Sequence, residues 1–182
     1  MSITEIIQKA KKGDEPSFTY LLNTYWKDVF RFILSKANDE NEAEDLTIIT
    51  FAKAFDKIAS YDENYEFKTW LLSIANNLHI DQFRKQKTET ISINKTESEV
   101  YRVKDEEPSP VDKLIIEQNL AQLLSYIKQL KPHYQEMINM RFFQEMSYKE
   151  MAKELNEPMS NIKVKLLRAK KLLAEIITKE DS

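Results

Sequence analysis

Along residues 1–87, apolar side chains recur at three- and four-residue spacing, the mark of helices with one buried face. Ile3, Ile6, Ile7 and Ala10 make a short run that stops at Gly13. Asp14 then offers an N-cap, with Pro16 in the first turn of a second helix carrying Phe18, Leu21, Leu22, Tyr25, Val29, Phe30 and Ile33. Acids from Asp39 to Asp45 suit the positive end of a third helix, which continues through Leu46, Ile49, Phe51, Ala54, Phe55 and Ile58. After a polar turn at residues 60–66, a fourth helix puts Phe67, Leu71, Ile74, Ala75 and Leu78 on one face and ends in the basic run Arg84-Lys-Gln-Lys87.

From Thr88 to Val111 this periodicity lapses into Thr, Ser, Asn and charge, closing on Asp105-Glu-Glu-Pro-Ser-Pro110, which is linker composition. Two helical domains are therefore expected, residues 1–87 and 112–182, joined by a flexible linker over 88–111. Beyond it Ile116, Leu120, Leu123, Leu124, Ile127 and Leu130 predict one amphipathic helix, and Pro132 opens another with Met137, Ile138, Met140 and Phe142. Ser147-Tyr-Lys-Glu150 has the form of a capping box, with Met146 and Met151 placed as a hydrophobic staple. Asn156 suits a left-handed helix stop, and Ser160 is a candidate cap for the last helix after Pro158.

Composition agrees with an all-α fold. One glycine and five prolines in 182 residues leave little turn chemistry for hairpins. The absence of cysteine excludes disulfides and thiolate metal sites and fits a reducing, cytoplasmic setting; the N-terminus has no signal-peptide pattern and no apolar run reaches membrane-spanning length. A net charge of −3 argues against indiscriminate nucleic-acid binding, so any DNA contact must come from local basic patches.

One such patch is plain. The final helix has Ile162, Leu166, Ala169 and Leu173 on one side together with Lys163, Lys165, Arg168, Lys170 and Lys171, and no acid between Met159 and Leu173. A short capped helix, a tight turn and a basic second helix is the layout of a helix-turn-helix, whose second helix enters the major groove. The segments Met146-Ser-Tyr-Lys-Glu-Met-Ala-Lys-Glu-Leu155 and Ile162-Lys-Val-Lys-Leu-Leu-Arg-Ala-Lys-Lys-Leu172 resemble the C-terminal DNA-binding domain of extracytoplasmic-function sigma factors. Ala43-Glu-Asp-Leu46, Thr50-Phe-Ala-Lys-Ala-Phe55, Phe67-Lys-Thr-Trp-Leu-Leu-Ser-Ile-Ala-Asn-Asn77 and Asp81-Gln-Phe-Arg84 resemble the same family's N-terminal domain, in the expected order.

The resemblance implies a protein that carries core RNA polymerase to promoters and helps melt them, with no catalytic residue, metal or cofactor of its own. Its implied partners are promoter DNA and the polymerase β′ coiled coil and β flap, without membrane insertion; whether an anti-sigma factor restrains it is left open. The helix from Glu42 to Ile58 is similar to the one that grips the β′ coiled coil, which makes Glu44, Asp45 and Lys53 candidate polymerase contacts. Ile48 and Ile49 stand where the family usually has a glutamine and an acid; exposed isoleucines there would suit an apolar partner surface. The loop from Tyr61 to Glu66 and the following helix resemble the part that reads and melts the minus-ten element. Tyr61 is the implied stacking ring, Asn77 the base-edge amide, and Arg84 and Lys85 the phosphate contacts. Ser73, Asn77, Ile80 and Arg84 fall on one stripe opposite the core face, whereas Trp70 reads as core or core rim. In the C-terminal domain Lys163, Val164 and Leu167 match base-facing positions of minus-thirty-five recognition, and Lys165 and Arg168 suit phosphate.

Three other classes compete with this reading. An enzyme would need convergent chemistry, but neighbouring acids on one helix point apart, His79 with Asp81 has no further partner cluster, and His133 is isolated beside Pro132. An ordinary helix-turn-helix regulator with a helical dimerisation domain is the stronger alternative, and binding to core polymerase separates the two. A helical interaction module without DNA contact has no use for the acid-free basic helix.

Overall fold

The structure is a computed structural model that describes residues 1–88 and 108–180. Among the described residues every regular element is helical, and the chain divides into two compact units, Met1–Ile93 and Asn94–Ser182. Most of the expected linker, residues 89–107, lies outside the described residues.

The first unit contains α1 (Ile3–Lys11), α2 (Glu15–Leu34), α3 (Glu40–Lys57) and α4 (Phe67–Thr88). A capping box between Ser2 and Glu5 starts α1, whose buried face is Ile6, Ile7 and Ala10. Gly13, at φ 81°, makes the turn into α2, where Asp14 accepts from the Ser17 amide. Asp39 caps α3 in the same way through the Glu42 amide. Helices α2, α3 and α4 pack on one another, and α1 packs on α2. Rings fill the centre: Phe18 lies 4.7 Å from Phe55, and Trp26 stacks on Phe51 at 5.9 Å. Phe51 is fully buried, so truncating it to alanine would cost about 3–5 kcal/mol in lost transfer energy and cavity.

The second unit contains α5 (Pro110–Ile116), α6 (Leu120–Ile127), α7 (Pro132–Ile138), a wide turn at Asn139–Phe143, α8 (Tyr148–Leu155) and α9 (Met159–Glu180). Helix α9 is the spine: Ile162, Leu166, Ala169, Leu173 and Ile177 are buried in one cluster with Ile115, Ile138 and Met151. This is the apolar stripe expected for the last helix.

Three local expectations are corrected. The helix expected through Ile116 and Leu120 is two helices, because Asn119 caps α6 through the Ala121 amide and breaks the run at residues 117–119. Leu120 and Leu124 consequently face water rather than the core. Helix α5 begins within the expected linker: Ser109 and Asp112 form a capping box and Val111 is buried. Ser160 is not a cap, since the Pro158 carbonyl accepts from the Asn161 and Ile162 amides and Ser160 lies in the first turn of α9.

Candidate nucleic-acid interface

In the first unit the candidate surface is the loop at residues 61–66 with the outer side of α4. Ser73, Asn77, Ile80 and Arg84 are all exposed, as their common stripe predicts, and Lys85 beside them is half-buried. Trp70 is half-buried against Tyr61 and Phe67, at 5.1 and 5.5 Å between ring centres, which fits its expected place at the core rim.

Tyr61 is placed differently from the exposed stripe. Its ring is 6% exposed, edge-on to Phe67 at 5.1 Å, and its hydroxyl donates to the Tyr65 carbonyl. Burial pushes the phenol upward, and the charge of Glu63 adds to it. A ring so enclosed holds the loop rather than presenting a face to a base. Two aromatics that the sequence reading passed over are exposed instead: Tyr65, at 66%, on the loop itself, and Phe83, at 61%, near the end of α4. The signal for Tyr65 was present, since it sits among the polar residues Asp62, Glu63, Asn64 and Glu66 with no apolar neighbour to withdraw it. Within the loop, Asp62 accepts from the Asn64 amide and side chain at 3.0 and 2.8 Å, and the Tyr65 amide donates to the Asp62 carbonyl.

On α3, Glu44, Asp45, Ile49 and Lys53 are half-buried, and each of the three charged groups takes part in an interaction. Ile48 is fully buried, which removes it from the expected apolar contact surface. Its neighbours Thr47 and Ala52 are buried too, so α3 is covered on more than one side, as a helix with apolar residues round much of its circumference should be.

The helix-turn-helix in the second unit is built as its sequence dictates. The Ser147 amide donates to the Glu150 carboxylate at 2.7 Å and the Glu150 amide donates to Ser147 Oγ at 3.2 Å. The bond from the Ser147 amide holds that carboxyl below its ordinary range. Asn156 is left-handed, at φ 52° and ψ 45°, while the Glu157 amide reaches the Ala152 carbonyl and the Asn156 amide that of Lys153, closing α8 with a Schellman turn.

The expected readers and clamps on α9 fare unequally. Lys163 is half-buried with its ammonium 5.8 Å from the centre of the Tyr148 ring, and Arg141 sits over the same ring at 5.0 Å. Arg141 was not anticipated; it precedes the capped helix in sequence, but its guanidinium donates to the Met146 carbonyl beside it. Val164 and Leu167 are 1% and 4% exposed and so do not present their side chains to bases in this structure. The cause is the same as on α3: a helix apolar along two adjoining stripes withdraws both from water. Lys165 meets both carboxylate oxygens of Glu157 at 2.7 Å, and Arg168 is buried with its guanidinium 5.4 Å from the Tyr134 ring centre. As placed, neither is a free phosphate clamp. Among the described residues no group of three or more His, Asp or Glu side chains is arranged to hold a metal ion, and no helix is long and apolar enough to cross a membrane.

Comparison with known proteins supplies the context for these surfaces. Residues 21–89 match the family Sigma-70 region 2, and residues 120–173 match Sigma-70, region 4. The chain is 33% identical over 149 residues to the ECF RNA polymerase sigma factor SigM of Bacillus subtilis, covering 82% of this chain and 88% of that one. It is 30% identical over 174 residues to the ECF RNA polymerase sigma factor BldN of Streptomyces coelicolor, covering 95% of this chain but 65% of that longer protein. A solved RsbN–BldN complex contains a chain 25% identical, covering 93% of this chain and 97% of that one, with a TM-score of 0.41. The family relationship rests on the sequence matches, not on that superposition.

Proposed function

Since this chain belongs to the ECF RNA polymerase sigma factors of the sigma-70 family, we propose that it binds core RNA polymerase in the cytoplasm and directs initiation at promoters carrying its own minus-thirty-five and minus-ten elements, without catalysis of its own. The observation that carries this reading is the pairing of a region 2 match on the first unit with a region 4 match on the second. An ordinary helix-turn-helix regulator accounts for the second match alone.

Roles within the units follow from exposure and chemistry. We assign polymerase β′ contact to the half-buried Glu44, Asp45, Ile49 and Lys53 side of α3. We assign β flap contact to the exposed apolar residues Ile116, Leu120 and Leu124, since large apolar side chains left in water suit a protein partner. For the minus-ten element, Tyr65 takes the stacking role first expected of Tyr61, Asn77 remains the base-edge amide, and Arg84 with Lys85 meets phosphate. For the minus-thirty-five element, Lys163 and Arg141, both beside the Tyr148 ring, make the cationic reading point near the start of α9, and Lys165 is a phosphate contact only after Glu157 gives it up. The test is co-elution of the full chain with core polymerase followed by promoter binding. The pair should bind a promoter that neither component holds tightly alone, because the net charge of −3 gives the free protein little general attraction to DNA. Tight sequence-specific binding without core, and no association with core, would favour the ordinary regulator.

A further inference from the structure

Helix α1 lies outside the region 2 match, which begins at residue 21, yet it reaches the loop to which promoter opening is assigned. Its inner face is anchored in the first unit by Ile6, Ile7 and Ala10. Its outer edge ends in Lys11, whose ammonium donates to the Tyr61 carbonyl at 3.0 Å and to the Glu63 carboxylate at 2.8 Å. The same ammonium lies 5.5 Å from the centre of the Tyr61 ring. Gln8, one turn earlier on α1, donates its side-chain amide to the same Glu63 carboxylate. One cation thus ties the start of the loop through a backbone carbonyl and its middle through a side chain, while Tyr61 ties the start to the end through the Tyr65 carbonyl.

From this geometry we infer that Lys11 is a positioning residue for promoter opening: α1 braces the loop at residues 61–66 so that the exposed Tyr65 is held ready for an unpaired base. The inference rests on the reading of that loop as the minus-ten capture element. A base flipped out of a duplex has to be caught before it returns, and a loop that must first be ordered spends part of its binding energy on its own entropy. The brace supplies the order beforehand. Lys11 touches no DNA in this scheme, and its contribution passes through Tyr61 and Glu63. The ion pair is partly exposed, with side chains 20% and 38% exposed, so its contribution to stability is modest and its effect on loop geometry can be read apart from folding.

The test uses the full chain reconstituted with core polymerase, comparing Lys11→Met, Lys11→Arg, Glu63→Gln and Tyr65→Ala. Open-complex formation is followed by permanganate reactivity on duplex promoter and on a template with the minus-ten stretch already unpaired. Lys11→Met is expected to slow opening of duplex about threefold to tenfold, the range for ordering one or two additional groups. The deficit should shrink on the unpaired template, core affinity should be unchanged, and Lys11→Arg should restore most of the rate. Glu63→Gln, a change on the exposed rim of the loop, should show a weaker deficit of the same kind and carries the test if Lys11→Met lowers stability. Wild-type opening by both Lys11→Met and Glu63→Gln, with Tyr65→Ala defective, would overturn the brace and leave the loop reading standing. Wild-type opening by Tyr65→Ala would remove the loop reading itself.

Discussion

Lys170 on α9 and Asp112 on α5 form a well-enclosed ion pair in the second unit, Nζ to Oδ1 at 2.9 Å with side chains 8% and 19% exposed. At an effective dielectric near 20 the gross attraction at that distance is roughly 5–6 kcal/mol, but withdrawing each ion from water costs several, so the intact pair is close to break-even. Removing one partner is different, because the other charge stays buried. Asp112 keeps the Ser109 amide and hydroxyl at 2.9 and 2.6 Å, which softens the loss. Lys170→Met is therefore expected to cost about 1–3 kcal/mol, below the roughly 3–5 typical of a fully buried pair. Asp112→Ala should cost about 1 kcal/mol more, since the carboxylate half of the α5 capping box goes with it while the Ser109 hydroxyl still accepts from the residue 112 amide. Adding Asp112→Asn to Lys170→Met should recover most of the loss.

Burial raises the Asp112 carboxyl, but the Lys170 charge with the bonds from Ser109 and Lys170 outweighs it and leaves the group below its ordinary value. A depressed carboxyl contributes stability that is present above the unfolded value near 3.9 and lost as pH falls through the folded one, so the wild type should lose this contribution below about pH 4. Both tryptophans, Trp26 and Trp70, lie in the first unit, so urea unfolding can be followed separately by tryptophan fluorescence and by circular dichroism. Lys170→Met should lower the part of the dichroism transition that fluorescence does not report. An unchanged dichroism midpoint, or a double variant no more stable than Lys170→Met, would refute the reasoning.

Tyr61→Ala should destabilise the first unit by about 3–5 kcal/mol, as loss of a core aromatic does, visible as a lower urea midpoint in tryptophan fluorescence. Tyr65→Ala, by contrast, should leave that midpoint in place. Glu157→Gln should release Lys165 to phosphate, tightening holoenzyme binding to all promoter variants and steepening its salt dependence by about one unit in a titration against salt concentration. Lys163→Ala should cost about 1–3 kcal/mol at particular minus-thirty-five positions in a mutant-promoter binding series, and equal losses at every position would assign it to phosphate instead.

What was legible in the sequence was what local chemistry decides. The Ser147 box and the left-handed Asn156 follow from side chains bonding their own backbone within a few residues, and the exposed stripe of α4 follows from helical period. The misses have causes that helical period does not carry. Tyr61 is written inside a polar turn, and only the approach of Phe67, Trp70 and Lys11 from elsewhere in the fold encloses it. Ile116 and Leu120 are four residues apart, as they would be in a continuous helix, so periodicity could not register the break that Asn119 makes. Ion pairing also crosses the spacing that a sequence reading scans: Glu157 lies outside the acid-free helix, yet its carboxylate occupies Lys165 eight residues on.

The central claim is that this chain confers promoter selectivity on core RNA polymerase. The most direct test is transcription in vitro from a library of genomic fragments with core polymerase and the purified full chain, mapping starts and permanganate-reactive thymines. The account predicts discrete starts absent with core alone, sharing two sequence elements upstream, with melting at the nearer one. Transcription no different from core alone, while the protein itself binds specific duplex sites, would contradict it.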